Sequence, residues 1–446
     1  MTLMNNRLFT LILLSFVGIV TSVYLTLNVG LLSIPIVLTL FLFLLAITNY
    51  RKASVFVGLA LISSIMLIPK IKYAGINLRF DDYVSLFIAF LLIVILFIIR
   101  YEERTITSAK GIITLIIFYL TYCSLFTAIQ LLLNNLNPLF LLYLVKEIQY
   151  FLYFFFVLII CTKYSADENL IKWFTYLSIA TVAWGIYQFI FTSRGYYGIG
   201  MISEPASSQS GGAFFTISLF FLYLYELKRK YLYGLFFLLS VWLTFATVSR
   251  AAMVALVFVL ILYILRLIFV NRRKILTIYL MSCFAVSSFF FFPWIKSNSL
   301  YQKFYERINT IDEGSNFRMY IWQSRLSTYD LFDLIFGRGK GYTQTFSKGF
   351  TLAADSQYVR LLLEIGIIGL VLWLVVIFSI LFFAVKHYRT SKPESMFIIL
   401  FTLGYLVMSI THEVFMVAIQ GSLYWIMISL MLSKIIVVQN RLKKAS

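Results

Sequence analysis

The feature that most constrains this chain is the recurrence, from one end to the other, of uncharged apolar runs of roughly 17–25 residues, the length an α-helix needs to cross a bilayer. Such windows begin near residues 8, 30, 53, 83, 111, 139, 171, 211, 231, 251, 275, 358, 396 and 417, about fourteen in all. In lipid every backbone N–H and C=O must be satisfied within its own segment, so these runs predict helices. Composition agrees, because 61% of the 446 residues are hydrophobic and only 12% are charged, which excludes a soluble globular class. The expected fold is an all-α polytopic membrane protein. It divides into a helical body over 1–294, one large polar loop over 295–357 and a last group of spans over 358–446. No two-halves repeat of the kind found in many transporters is present in the sequence.

The formal net charge of +19 would suit nucleic acid if it lay on one surface, but it does not. Cations such as Arg51-Lys52, Lys228-Arg229-Lys230, Arg272-Arg273-Lys274 and the stretch from Lys386 to Lys392 fill the short gaps between apolar runs. That distribution marks the cytoplasmic side of a membrane protein and excludes nucleic acid as a partner. Alternating the spans from it predicts that both termini are cytoplasmic. The first apolar run, after Arg7, is expected to be kept as the first span. Cys123, Cys161 and Cys283 are scattered through apolar runs, which offers neither a disulfide framework nor metal-ligand spacing.

The same alternation sends the unusual polar chemistry outward. Arg194, Glu204, Arg250, Arg318, Arg325, Asp355 and Arg360 are all expected near the outer surface, whereas the cytoplasmic loops hold no phosphate loop or acidic metal cage. Arginine's planar fork binds phosphate oxygens bidentately and stays charged at any relevant pH, which suits an anionic lipid substrate. Arg194 and Glu204 belong to an irregular Gly- and Ser-rich stretch between two spans, either a connector or a substrate loop. Glu204 is a candidate general base or a solvated, capping carboxylate. Arg250 follows Thr247-Val248-Ser249 in a very short turn, where it either snorkels to headgroups or stands at a site.

Within the outer loop Arg318, Trp322, Arg325 and Tyr329 recur at i, i+4, i+7 and i+11 of a helix expected over 316–336. Aromatic faces stack on sugars and arginines hold phosphate, so this stripe fits a glycolipid; a helix lying on anionic lipid is the alternative. A second helix is expected over 298–309. The run Gly337-Arg338-Gly339-Lys340-Gly341 is a candidate anion nest. Asp355 is a second candidate base or a helix cap, and Arg360 and Glu364 are spaced for an ion pair. Gly366 and Gly369 would admit a neighbouring helix. Lys146 and Glu147 lie inside a span, where charge is costly; Lys146 joins the anion site or ties helices together. Asp81-Asp82 caps a helix or, with further ligands, holds a metal, and His412 is read as an interfacial histidine.

Taken in order, Arg194 with Ser203-Glu204-Pro205-Ala206-Ser207, the Thr247-Val248-Ser249-Arg250 turn, Arg318 with Trp322, the Gly337 to Gly341 run, Asp355-Ser356-Gln357-Tyr358 and Leu363-Glu364-Ile365-Gly366-Ile367-Ile368-Gly369 resemble the O-antigen polymerase and ligase family of bacterial surface-polysaccharide assembly. The resemblance lies mainly in the second half of the chain. It implies a GT-C-like layout, spanning helices with one large extracytoplasmic helical loop, and a glycosyltransferase that needs no metal and no cofactor. Its substrates would be undecaprenyl-diphosphate-linked oligosaccharides of an O-antigen, capsule or related polysaccharide. Its partners would be membrane lipids, a chain-length regulator and a flippase. Arg194, Arg250, Arg318, Arg325 and Lys146 would then bind diphosphate, Trp322, Tyr329 and Tyr358 sugar, and Glu204 or Asp355 the acceptor proton. Ligases of the family carry a histidine near the place held here by Asp355-Ser356, and 295–357 contains none, which points to a polymerase; a ligase or a flippase are the alternatives.

Overall fold

Apolar segments become helices wherever the computed structural model describes them, which is over residues 33–68, 71–73, 76–99, 109–133, 141–191, 199–203, 208–269, 311–344 and 355–445. Helix α1 (Ser33–Leu67) is broken at Asn49 (φ −153°, ψ 83°), between the spans that the sequence predicts from near residues 30 and 53. The Asn49 side chain accepts the Lys52 N–H at 3.2 Å and so starts the second half. A three-residue antiparallel hairpin follows, Ile71–Tyr73 (β1) with Ile76–Leu78 (β2), and leads into α2 (Phe80–Ile99). Then come α3 (Lys110–Leu132), α4 (Leu141–Tyr164), α5 (Asp167–Phe191), α6 (Ser208–Lys228), α7 (Tyr231–Ala246) and α8 (Arg250–Phe269).

Past residues 270–310, which include the expected span from near 275 and the expected helix 298–309, the chain continues as α9 (Ile311–Leu326) and α10 (Leu331–Phe336). It ends in α11 (Gln357–Lys386), α12 (Lys392–Met408) and α13 (Ala418–Ala445). Seven of these helices, α3, α4, α5, α6, α8, α11 and α13, are long and apolar enough to cross a membrane, and α7 is a shorter apolar helix. The chain is therefore a helical, multi-pass membrane protein whose one β element is the small hairpin, among the described residues.

The single outer helix predicted over 316–336 is in fact two. Ser327 and Thr328 turn their hydroxyls back onto the carbonyls of Ser324 and Arg325, at 2.9 and 2.8 Å, and close α9. Asp330 then caps α10 by accepting the Asp333 N–H at 2.7 Å. Short polar side chains that offer the backbone such local partners favour helix ends over interiors. Tyr329 consequently falls in the turn, off the helical stripe of Arg318, Trp322 and Arg325.

The helices form two compact units. The first comprises 1–108, 149–180 and 425–446. In it Arg79 and Asp81, both buried, pair at 2.9 Å, and Asp82 accepts the Arg79 N–H at 3.2 Å as a cap. Gln149 reaches Asp82 Oδ1 at 3.2 Å, so this acidic pair is spent on structure. Phe151 and Phe154 pack on Trp425, and Ser429 donates to the Phe154 carbonyl at 2.6 Å.

The second unit, 109–148 with 181–424, holds the candidate site. Here α6 packs on α7, α8 and α12, while α11 packs on α3, α10 and α12. Phe401, Tyr405, Phe415 and Tyr424 form an aromatic core with ring centroids 4.6–5.6 Å apart. The Tyr405 hydroxyl donates to Gln420 O at 3.1 Å, which ties the first turn of α13 to that core.

Candidate functional site

Helix α11 does not run straight. At Gly366 the backbone takes φ 67°, ψ −174°, a conformation open to glycine and costly for any other residue, and the helical ladder is interrupted. The carbonyls just before the break lose their intrahelical donors and, in an apolar setting, need others. The glycine-rich run supplies them. Arg338 N–H donates to Leu363 O at 3.1 Å and Gly339 N–H to Glu364 O at 2.8 Å. Tyr329 and Tyr122 add hydroxyl donors to Leu363 O and Ile365 O, at 2.9 and 3.1 Å.

The fit is close on both sides. A Cβ on Gly337 (φ 82°) would lie 2.4 Å from Glu364 O, and one on Gly366 would lie 2.2 Å from Ile335 O. Gly366 thus admits α10 and its following loop, not a neighbouring spanning helix as the sequence suggests. The anion-nest reading of Gly337 to Gly341 is also corrected. Gly337 N–H donates to Asp333 O, Lys340 N–H reaches Thr127 Oγ1 at 3.2 Å, and with the two bonds to α11 the N–H groups from Gly337 to Lys340 are committed to protein acceptors.

What the loop delivers is Lys340. Its ammonium is fully buried, 2.6 Å from Glu147 Oε2 and 3.9 Å from Glu364 Oε2. Burial pulls its pKa down, but Glu147, Cys123 and Glu364 outweigh that pull and the pKa is raised, so Lys340 stays charged. Tyr119 donates to Glu147, and Thr343 donates to Glu364 Oε1 at 2.8 Å. Glu364 also receives Arg360 Nε at 3.0 Å, the ion pair expected from their spacing, and Arg360 donates on to Glu413. The Arg360 guanidinium lies over the Tyr143 ring at 5.4 Å. The chain Glu147, Lys340, Glu364, Arg360, Glu413 is a buried ionic string joining α4, the glycine loop, α11 and the α12–α13 turn. Such a string adds little net stability but makes loss of any one member costly.

At the end of the unit where α11 begins, Arg318 Nε lies 3.4 Å from Asp355 Oδ2, and both side chains remain partly accessible, 26% and 49%. Gln357 N–H donates to Ser409 O at 2.9 Å, which brings the α12–α13 turn alongside. That turn carries His412, whose Nε2 is buried without a hydrogen bond among the described residues. Burial lowers the His412 pKa from its ordinary 6.5, Asp355 opposes that fall and Arg318 reinforces it, so the neutral imidazole is favoured. Gln420 donates to Gln209 O at 3.0 Å and Gly211 packs on Ser249, which adds the start of α6 and the α7–α8 turn to the same end.

In that three-residue turn Val248 holds φ 56°, and Asp355 holds φ 51°. A positive φ is strained for a side-chain-bearing residue, most of all a β-branched one, and such strain gathers at functional sites. Arg250 follows immediately as the first residue of α8, half-buried.

Of the residues predicted to act, Arg318 and Asp355 are brought together, and Trp322 lies one turn beyond Arg318 on α9. Arg250 shares their end of the unit. Arg194 and Glu204 lie outside the described residues. Arg325 donates to Thr343 O at 3.1 Å and Tyr329 sits under Arg338 at 4.2 Å, so both help hold the loop. Tyr358 donates to Leu406 O at 2.8 Å and meets Trp373 edge-on, a packing position. Lys146 is half-buried on α4 beside the buried Glu147.

Sequence reading missed Lys340 as a core cation and the electrostatic influence of Asp355 on His412, because both approach from elements distant in sequence. The available signal was the pairing of a Gly-x-Gly-x-Gly run with a glycine inside an apolar helix. No curated protein matches the chain. Residues 235–374, which carry Arg250, Arg318, Lys340, Asp355 and Glu364, match the family model described as O-antigen ligase. That match shows similarity to the O-antigen ligase family over this stretch and supports glycan transfer of the O-antigen ligase and polymerase type.

Proposed function

We propose that this protein polymerises lipid-linked oligosaccharide repeat units of a bacterial surface polysaccharide at the outer face of the cytoplasmic membrane. The observation that carries the proposal is the accessible Arg318–Asp355 pair, set at a strained end of the unit within the stretch that matches the family. A growing glycan on undecaprenyl diphosphate would enter from the bilayer. A hydroxyl of the terminal sugar on a second lipid-linked repeat attacks the anomeric carbon, the bond to the diphosphate breaks, and undecaprenyl diphosphate leaves. Asp355, or Glu204, takes the hydroxyl proton. Arg318, with Arg250 and Arg194, neutralises charge that grows on the departing diphosphate, where preorganised donors act most strongly. Attack opposite the diphosphate inverts the anomeric centre. The diphosphate is already an activated leaving group, so the reaction requires neither a metal nor a nucleotide sugar. A chain-length regulator and a flippase are the partners such a reaction calls for.

One observation favours a second reading, transfer of the glycan to a different acceptor as a ligase does. His412 lies within electrostatic reach of Asp355 and Arg318, so the lack of histidine in 295–357 does not by itself separate the two activities. Cell extracts separate them. Loss of a polymerase leaves single repeat units on the final acceptor, whereas loss of a ligase leaves lipid-linked polymer that is never transferred. Conversion of purified lipid-linked repeat units into longer lipid-linked chains, unaffected by chelator, is the result expected of the proposal; no elongation by the intact protein would overturn it.

A further inference from the structure

A second polar feature lies in the first unit. A cavity of about 500 Å³ opens between α1 and the junction of α4 with α5. Arg51, Lys52 and Lys163 line it, and no carboxylate does among the described residues, since Asp167 and Glu168 of the first turn of α5 are not part of its wall. The break at Asn49 places Arg51 and Lys52 in the first turn of the restarted helix. Arg51 and Lys52 there face the positive end of the helix dipole, a placement that helix stability disfavours and that a bound anion would offset. The Arg51 guanidinium lies 5.9 Å over the Tyr164 ring, which orients it at the rim.

Next to the cations the wall becomes apolar. Val55, Phe56 and Leu59 continue along the helix, and Phe56 is 42% exposed. A free inorganic anion makes no use of that surface, whereas a phospholipid uses both parts, phosphate among the cations and acyl chain along the helix. Basic pockets between spanning helices bind anionic headgroups in this way. We propose that this cavity is a binding site for an anionic phospholipid, with Arg51, Lys52 and Lys163 holding the phosphate and Phe56 contacting the acyl chain. The cation distribution of the sequence assigns it to the cytoplasmic leaflet. The proposal is independent of the polymerase reading.

The full chain, purified in detergent, is titrated with a fluorescent short-chain phosphatidylglycerol, with the matching phosphatidylcholine and with inorganic phosphate as competitors. Saturable binding of one phosphatidylglycerol is expected, weakened about tenfold or more in R51Q/K52Q and in K163Q. It should be unchanged in K228Q/K230Q, which removes exposed cations elsewhere. Phe56→Ser, at an exposed position, should weaken the lipid and leave phosphate competition as it was. Equal loss in K228Q/K230Q, equal binding of phosphatidylcholine, or a Phe56→Ser variant that binds the lipid normally would each overturn the proposal. The first would show charge without a site, the second no need for an anionic headgroup, and the third a site for free phosphate.

Discussion

Arg318 Nε stands 3.4 Å from Asp355 Oδ2, which joins helix α9 to the segment just before α11. A guanidinium and a carboxylate side by side can stabilise a leaving diphosphate and receive a proton in one event. Arg318→Ala is expected to lower the rate of glycan transfer by about 10²–10³, the loss typical when one such donor is removed. Arg318→Lys should recover little, because an ammonium lacks the planar fork. Transfer measured on lipid-linked repeats in membranes with equal amounts of inserted protein checks this; a full rate in Arg318→Ala would remove Arg318 from the site.

Lys340→Met keeps most of the volume of the side chain and strips its charge, leaving Glu147 and Glu364 buried beside one another. Loss of one partner from a buried pair costs about 3–5 kcal/mol. The expected outcome is a clear fall in the thermal transition of the detergent-solubilised protein. Adding Glu147→Gln to the same chain should restore part of it, since the two changes act on one contact. Strict additivity of the two changes would contradict the pairing.

Gly366→Ala puts a methyl group where Ile335 O already lies and asks alanine to hold a positive φ. It should destabilise the protein by more than about 1 kcal/mol, the scale on which compatible glycine replacements help. Gly111→Ala, at a helical position with open space around it, is the control and should be neutral or mildly stabilising. Protease sensitivity of the Gly337 to Gly341 loop should rise in the first variant alone.

His412 has its pKa lowered by burial and by Arg318, against the pull of Asp355. The unfolded chain therefore binds this proton more readily than the folded one. Stability from this group is complete above the ordinary histidine value of 6.5 and is lost as pH falls through the lowered value. Transition temperatures recorded from neutral to mildly acidic pH should fall, and His412→Gln should flatten that part of the profile. An unchanged slope in the variant would assign the acid sensitivity to other groups.

The expected span starts near 111, 139, 171, 211, 231, 251, 358, 396 and 417 agree with α3 to α8 and α11 to α13 to within a few residues. The ion pair of Arg360 with Glu364 was also legible, because both spacings follow from helix geometry acting within one segment. The aromatic stripe through Tyr329 was not, since Asp330 ends the helix that the periodicity extends. Nor was Tyr358, whose hydroxyl and ring are taken up by α12 and Trp373.

Sequence alone therefore determined that the chain is a bundle of membrane helices and which polar residues fall between its apolar runs, because length and hydropathy of a segment are local properties that lipid reads directly. Tertiary structure decided that Gly366 breaks α11, that the glycine loop repairs the break and buries Lys340, and that Arg318 and Asp355 meet within electrostatic reach of His412. Those facts depend on donors and charges from distant segments satisfying one another where water cannot, and no local pattern records which partners the fold will bring.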